Sequence, residues 1–295
     1  MLTICCLLNR FGLGGEFDLP VREDSYRGYD DREMFLRVWS PDGDAKAVVL
    51  GVHGLGSHSG LIAPVGEYFE KHGFVFYAPD LRGFGHYSGI KGHVESIDEF
   101  VKDLDGLVDR LKEQHPGKKI FMWGHSFGGL LTILYAEQHQ HKLDGIMIVC
   151  PGLSERLKIS SFVRAIVKIL SALNVKKPFE NGLNLDLISR NPETVRRNKE
   201  DPLRYDYATA RFAAEGFKAT RSGMEAAVSI AIPALVQQSG DDLIVVPEKT
   251  REFYDRLASA DKTWRIYEGL YHEPFEEEGG EAVLKDAIDW IESHL

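Results

Sequence analysis

Cysteine is scarce in this sequence: the 295 residues include only three, of which Cys5 and Cys6 are adjacent. Three cysteines cannot form the disulfide framework that staples small secreted domains, so their number favours a reducing compartment such as the cytoplasm. The third, Cys150, ends an apolar run and is expected in the core rather than as a nucleophile. Proline is also sparse, and 43% hydrophobic residues indicate a folded chain rather than a disordered or collagen-like one.

Positively charged residues are fewer than negatively charged ones, and long apolar runs are absent from the sequence. The chain has 35 Lys and Arg against 45 Asp and Glu, which gives a net charge of −10. A groove that follows nucleic-acid phosphates needs the opposite sign, so we expect no nucleic-acid partner and no strongly anionic membrane. No stretch approaches the roughly 18 consecutive apolar residues of a membrane-spanning helix.

Residues 1–8 (MLTICCLL) are the only candidate targeting segment. No Lys or Arg precedes these apolar residues and no small-residue cleavage site follows them, which is unlike a signal peptide. We interpret the segment as an uncleaved start, and the alternative is an anchor on a membrane surface. The expected location is therefore cytoplasmic, with peripheral attachment to a membrane as the alternative.

Apolar runs typical of buried strands alternate with amphipathic segments typical of helices. The pattern of Ser96 and Glu99 predicts a capping box for a helix that runs to about Leu111, and helical spacing recurs at residues 130–139 and 282–291. This order predicts an α/β fold, a mostly parallel sheet flanked by helices, with ligands at the carboxyl ends of its strands. The strand-like runs are residues 48–53, 75–79, 119–123, 145–150, 234–238 and 263–267.

The alternation stops after Pro151. No strong strand signal follows until about Ile230; instead there is an apolar helix near residues 162–173, a loop near 178–184 and helical spacing through 194–218. We therefore predict a helical cap at residues 153–230, inserted into a core formed by residues 1–152 and 231–295.

Residues 124–129 read GHSFGG and contain the pattern G-x-S-x-G. The pattern alone is weak, but here it lies between the strand-like run IFMW and the helix-like run LLTILYAEQH. In that setting the serine lies on a sharp turn and the glycines relieve crowding. We predict Ser126 as a nucleophile, and the alternative is a structural glycine turn.

A serine nucleophile needs a base within hydrogen-bond reach and a third group that orients the base. Residues 233–247 (PALVQQSGDDLIVVP) form a strand pattern that ends in two carboxylates, and residues 267–273 (YEGLYHE) place a histidine after another strand. The order Ser126, Asp242, His272 is that of the α/β-hydrolase triad.

Backbone donors for an oxyanion complete this interpretation. We predict that the donors are the N–H groups of Phe127, which follows the nucleophile, and of Leu55 in the loop after residues 48–53. The alternative for that loop is a plain glycine turn.

His53 and His125 flank the site and are expected to shape backbone turns. Surface or core roles are expected for His58, His72, His115, His139, His141 and His294.

From about Tyr29 to Leu295 the sequence resembles the monoacylglycerol lipase and lysophospholipase branch of the α/β-hydrolases, in its bacterial form. The matching pieces, besides those quoted above, are HGLGSHSG at residues 53–60, DLRGFG at 80–85 and LISRNPETVRRNKEDPL at 187–203. The resemblance implies an α/β-hydrolase fold with a helical cap after the sixth strand. It implies a serine esterase with the triad and the oxyanion donors named above, with Asp242 rather than Asp241 at the position of the acid.

Three departures from the family pattern concern polar residues. Where relatives often read HGxGEHSxRY, this chain has Ser57 for Glu and Leu61 for Arg. Where relatives read GHGxS, it has Phe84, His86 and Tyr87. If those polar residues hold a glycerol head group in relatives, the resemblance implies ester hydrolysis here without implying a preference for glycerol.

We therefore expect an esterase for monoacylglycerols or related lysolipids, with a single-chain lipid ester as its partner. No metal or organic cofactor is expected, because outside the triad no His, Asp and Glu residues cluster at ligand spacing. Alternatives on the same fold are a general carboxylesterase, a thioesterase, a peptidase and a non-catalytic ligand receptor, since the cap sets substrate choice.

The apolar helix of the cap has two interpretations. Its apolar residues either pack onto the sheet domain, or they border a tunnel mouth, contact a membrane surface transiently and receive the acyl chain. In the second case Ile166, Ile169 and Leu170 bind the substrate.

Overall fold

The computed structural model of the protein describes residues 21–154 and 160–295. Within them, eight strands form one sheet in the order β1-β2-β4-β3-β5-β6-β9-β10, and two short strands, β7 and β8, pair separately. All pairs in the large sheet are parallel except β1 with β2 and β2 with β4. The strands are β1 Arg22–Arg27, β2 Glu33–Trp39, β3 Val48–Val52, β4 Val75–Pro79, β5 Ile120–His125, β6 Gly145–Val149, β7 Phe179–Glu180, β8 Tyr207–Ala208, β9 Ala234–Ser239 and β10 Lys262–Tyr267.

Helices cover both faces of this sheet. Alternate residues of β3 point to opposite sides: Val48 and Leu50 join the apolar cluster under α2 and α3, whereas Val49 joins the cluster under α1 and α8. Burial on both faces explains why inner parallel strands such as β3 and β4 read as continuous apolar runs. The helices are α1 Ala63–Lys71, α2 Asp98–Gln114, α3 Phe127–His139, α4 Ser161–Ala172, α5 Pro192–Glu200, α6 Ala210–Ala226, α7 Pro247–Arg256 and α8 Glu281–Glu292.

The prediction of an α/β fold with a mostly parallel sheet flanked by helices is confirmed, and each of the six predicted strands is present. The hairpin of β1 and β2 lies at the sheet edge and was not predicted, because its strands keep several exposed polar residues and give no continuous apolar run.

The predicted capping box at Ser96 and Glu99 was wrong in detail. The helix begins at Asp98, whose N–H donates to Ser96 Oγ at 3.2 Å, and the Glu99 carboxylate accepts from the N–H of Glu95 at 3.3 Å.

The chain between β6 and β9 contains α4, α5 and α6. Two features differ from the expected all-helical pattern. The two-residue strands β7 and β8 pair antiparallel where no strand was expected. The predicted run of helix through residues 194–218 is interrupted, because α5 ends before Asp201 and α6 starts afresh where the Thr209 side chain accepts from the N–H of Phe212.

No helix among the described residues is long and apolar enough to cross a membrane. The candidate targeting segment at residues 1–8, with Cys5 and Cys6, lies outside the described residues.

Candidate active site

Ser126 lies on the sharp turn between β5 and α3. Its backbone has φ 55° and ψ −118°, a region that side chains rarely adopt, and its N–H donates to the carbonyl of Val149 at 3.0 Å. Glycine is required on both sides. A Cβ at Gly128 would overlap the carbonyl of Val52, and a Cβ at Gly124 would overlap Thr132. The G-x-S-x-G pattern thus reflects close packing that holds the serine hydroxyl at the carboxyl end of the sheet.

Three side chains from separate loops meet at this turn. His272 Nε2 lies 2.8 Å from Ser126 Oγ, and His272 Nδ1 lies 2.8 Å from Asp242 Oδ2. Because the carboxylate accepts from Nδ1–H, Nε2 is left as the acceptor for the serine hydroxyl. The structure therefore brings together all three residues of the predicted triad, in hydrogen-bonded order.

Asp242 is fully buried, in the turn after β9. Burial alone would raise its pKa, but the neighbouring His272 and the N–H groups of Ile244 and Val245, at 2.8 and 2.9 Å, hold the pKa of Asp242 below its usual value. The carboxylate is therefore ionised near neutral pH. Asp241, the neighbouring carboxylate, is exposed to solvent.

His125 contacts the triad in a way that the sequence did not predict. Its Nε2 donates to the carbonyl oxygen of His272 at 2.8 Å, and its ring packs edge-on against Phe275. Burial and the adjacent His272 lower the pKa of His125 to about 3, so it is neutral. From the sequence we expected His125 only to shape a backbone turn. In the structure it also holds the loop of His272 through this hydrogen bond. His53 does act on backbone, since its Nε2 accepts from the N–H of Leu81 at 3.0 Å.

The predicted oxyanion donors lie beside the serine. Phe127 is the first residue of α3, so its N–H has no acceptor within the helix. Leu55 lines the same cavity as Ser126 and His272, and a Cβ on the preceding Gly54 would lie 3.4 Å from the Cβ of Ser126.

A cavity of about 20 Å³, on the scale of a single water molecule, lies against Ser126 and His272. Apolar and polar side chains contribute to its wall in equal number. Two charged residues, Arg204 from the cap and Glu273 from the histidine loop, also line it, and sequence reasoning missed both. Glu273 lay within a quoted motif, but Arg204 follows directly after the end of another and carried no signal of its own. The apolar wall consists of Leu55, Leu61, Ile62, Leu183, Ile188 and Phe275.

Glu273 is an unusual carboxyl group. Burial, together with the neighbouring Glu276, raises the pKa of Glu273 to about 7, although Arg204 acts in the opposite direction. Its Oε2 accepts from Asn198 Nδ2 at 3.4 Å, and Arg204 Nη1 donates to Asn198 Oδ1 at 2.8 Å. Asn198 therefore links the two charged residues of the wall.

Comparison with known proteins decides the family. A family model described as serine aminopeptidase, S33, matches residues 43–279. A monoacylglycerol lipase of Mycolicibacterium smegmatis is 32% identical, over 92% of this chain and 98% of its own length. The chain belongs to the S33 family of serine hydrolases. It is an enzyme of the carboxylic ester hydrolase class. This confirms the prediction of an ester hydrolase from the sequence.

A relative of known structure confirms the predicted α/β-hydrolase fold of this hydrolase, and another relative matches most of its sequence. The crystal structure of a monoacylglycerol lipase from Paleococcus ferrophilus has a TM-score of 0.82 and 34% identity, and covers 90% of this chain and 100% of its own. The phospholipase YtpA of Bacillus subtilis is 27% identical over 88% of this chain and 99% of its own length. The resemblance to the monoacylglycerol lipase branch is confirmed at the level of family.

The structure does not bring the cap residues Ile166, Ile169 and Leu170 to the cavity of this hydrolase. Ile166 is 39% exposed and Ile169 60% exposed on the outer side of α4, and Leu170 is half-buried. Within the described residues none of the three lines the cavity at Ser126. The other interpretation, in which the apolar residues of α4 pack onto the sheet domain, does not fit these exposed side chains either.

One cluster of metal-ligand residue types occurs in the described part of the hydrolase: Cys150, Asp242 and His272, whose ligand atoms lie within 4.8 Å of one another. It is poorly suited to a metal ion. His272 and Asp242 are already bonded to each other, and burial raises the pKa of the Cys150 thiol, which donates to Ser239 Oγ at 3.4 Å and so stays protonated.

Proposed function

We propose that this protein hydrolyses monoacylglycerols, or closely related esters of single-chain lipids, to a free fatty acid and an alcohol by an acyl-enzyme mechanism. The observation that carries the proposal is the continuous hydrogen-bond chain from Asp242 through His272 to Ser126, with both links at 2.8 Å. Relatives named as monoacylglycerol lipases over nearly the whole chain support the choice of substrate.

The geometry supports the following steps. His272 Nε2 takes the proton of Ser126 as Oγ attacks the ester carbonyl carbon, and the ionised Asp242 stabilises the imidazolium. His272 then gives that proton to the alcohol oxygen as the carbon–oxygen bond breaks, which leaves the acyl group on Ser126. A water molecule, activated by the same Nε2, releases the fatty acid in a second round.

In this mechanism the N–H groups of Leu55 and Phe127 hold the oxyanion. Preorganised backbone donors need no reorientation as charge develops, and loss of one donor typically costs about 100- to 1,000-fold in turnover. Both residues lie next to Ser126, one on the loop after β3 and the other at the start of α3. No metal or organic cofactor takes part in the proposed steps.

Entry of a lipid requires movement of the cap. The cavity of about 20 Å³ is far too small for an acyl chain. The cap segment at α5 is fastened to the histidine loop, since Arg190 donates to Glu277 at 3.1 Å and Arg197 pairs with Glu276. We infer that the part of the cap that includes α4 moves instead.

We propose that α4 then contacts a membrane surface transiently. Phe162, Ile169 and Leu173 are 73%, 60% and 70% exposed, which leaves a broad apolar face open to solvent. The helix carries Arg164 and Lys168 and no acidic residue, unlike the chain as a whole. In this arrangement Ile166, Ile169 and Leu170 receive the acyl chain as the cap opens.

Two measurements test the proposed function. The wild type is expected to react with a fluorophosphonate probe and to cleave monoacylglycerols faster than lysophospholipids or p-nitrophenyl esters of matched chain length. Ser126→Ala is expected to lose labelling and at least about 10⁴-fold in turnover. A variant that retains a tenth of the wild-type rate would overturn the role of Ser126, and labelling without ester cleavage would overturn the substrate class.

A further inference from the structure

Arg204 and Glu273 are charged groups in the wall of the catalytic cavity for which the mechanism has no use. The Arg204 side chain is only 4% exposed, and its Nε donates to both carboxylate oxygens of Asp206 at 3.1 and 3.2 Å. Nη1 donates to Asn198. Among the described residues nothing accepts from the third nitrogen, Nη2.

Glu273 has an acceptor oxygen for which the described residues provide no donor. Its Oε2 accepts weakly from Asn198, at 3.4 Å, while Oε1 has no donor within the described part of the chain. A guanidinium nitrogen can donate and a carboxyl oxygen can accept, so each of these two atoms remains able to bond to a ligand. The cavity wall therefore presents one donor and one acceptor, linked through Asn198.

The position of Glu273 indicates which part of a substrate these atoms meet. The leaving alcohol must receive its proton from His272 Nε2, so the alcohol portion of the ester lies on the histidine side of the cavity. Glu273 directly follows His272 and lines that cavity. The remaining wall is mainly apolar, which suits the acyl portion rather than the alcohol.

We propose that Arg204 and Glu273 form a subsite for the hydroxyl groups of an uncharged polyol, such as the glyceryl portion of a monoacylglycerol. The inference rests on the proposed function and names its specificity-determining residues. Arg204 Nη2 donates to one hydroxyl oxygen, and Glu273 Oε1 accepts from another hydroxyl.

Charge favours a neutral polyol over a phosphate-bearing head group. Arg204 is the only Lys or Arg in the described wall of the cavity, and Asp206 already pairs with it. Glu273 adds negative charge whenever it is ionised. A phosphate would meet a paired guanidinium and a carboxylate, so a lysophospholipid is expected to be the poorer substrate.

The test compares kcat/KM for a monoacylglycerol and for the ethyl ester of the same fatty acid, which has no free hydroxyl. Glu273→Met keeps the volume and removes the acceptor, and Arg204→Lys keeps the charge beside Asp206 but removes the planar fork of donors. Each variant is expected to reduce the ratio of glyceryl to ethyl ester activity by about tenfold or more, while ethyl ester cleavage stays within about twofold. Matched controls are Glu278→Met on the same loop and Arg196→Met on α5, both exposed and outside the cavity.

Each outcome is decisive. An equal loss on both substrates would show a structural role and overturn the subsite, and Arg204→Lys supplies this comparison if Glu273→Met fails to fold. A wild type that prefers monoacylglycerol, with a ratio unchanged in both variants, overturns the subsite alone. A wild type that cleaves ethyl ester but not monoacylglycerol overturns the subsite together with the proposed substrate. Preference of the wild type for a lysophospholipid of the same chain length also contradicts the subsite.

Discussion

His125 Nε2 donates a hydrogen bond of 2.8 Å to the carbonyl oxygen of His272, so the residue before the nucleophile holds the loop of the proposed base. The contact joins the end of β5 to the loop after β10. The ring of His125 also packs 4.9 Å from that of His272, centroid to centroid. A neutral His125, with its pKa near 3, supplies this bond without adding charge beside the proposed base.

We predict that His125→Phe lowers kcat by about 10-fold while the protein remains folded. The phenyl ring keeps the packing against Phe275 but leaves the carbonyl of His272 without its donor, a loss on the order of 1–3 kcal/mol. His125→Gln, whose amide can donate from a similar position, is the control and should restore most of the rate. Steady-state kinetics and thermal unfolding measure both effects. Equal rates for the Phe variant and the wild type would refute a positioning role.

The two carboxylates after β9 are predicted to differ sharply. Asp242→Asn should reduce kcat by about 10⁴-fold, because an amide cannot favour the same tautomer of His272 or stabilise its charged form. Asp241→Asn is the matched control: Asp241 is exposed, and we expect a change of less than about twofold. Esterase assays of the two variants side by side decide between them. A larger loss of activity in Asp241→Asn than in Asp242→Asn would show that Asp242 is not the acid of the triad.

Glu273 predicts a pH-dependent stability. Because burial raises its pKa in the folded state to about 7, the folded protein holds this proton more tightly than the unfolded chain does. The resulting stability is complete below the unfolded pKa of about 4.3 and is lost as the pH rises through about 7, and the part lost between pH 5 and pH 8 is on the order of 2–3 kcal/mol. Glu273→Gln should therefore be more stable relative to the wild type at pH 8 than at pH 5.

Denaturant unfolding of Glu273→Gln and wild type at the two pH values measures this difference. Glu278→Gln, at an exposed position of the same loop, is the control and should show no such dependence. The same difference in free energy of unfolding at pH 5 and pH 8 would contradict a raised pKa at Glu273.

The parts of the site that the sequence predicts are those that local backbone geometry dictates. Gly124, Ser126 and Gly128 lie on a turn whose crowding allows little but glycine around the serine, so the pattern carries its own structural meaning. Arg204 and Glu273 lie 69 positions apart in the chain and meet only because the cap folds over the histidine loop. No local pattern encodes that contact, and the sequence could not predict it.

The fold shows the same division. Runs such as residues 75–79, buried on both faces, identify their strands without further information. The edge hairpin of β1 and β2 is missed because solvent on one side leaves polar residues among the apolar ones. For α4 the periodicity predicts a helix correctly, but periodicity gives only the width of an apolar face. It cannot say whether protein, lipid or water covers that face.

The exposed face of α4 gives the last prediction. Phe162→Ser combined with Ile169→Ser should reduce hydrolysis of long-chain monoacylglycerol in vesicles by about 10-fold, because the helix loses apolar area for the lipid surface. Cleavage of a water-soluble short-chain ester and the unfolding temperature should hardly change, since both side chains are already exposed. Val167→Ser, buried on the same helix, is the contrasting control and should lower stability instead. Co-sedimentation with phosphatidylcholine vesicles measures binding directly. Equal binding by the double variant and the wild type would show that α4 does not contact the membrane.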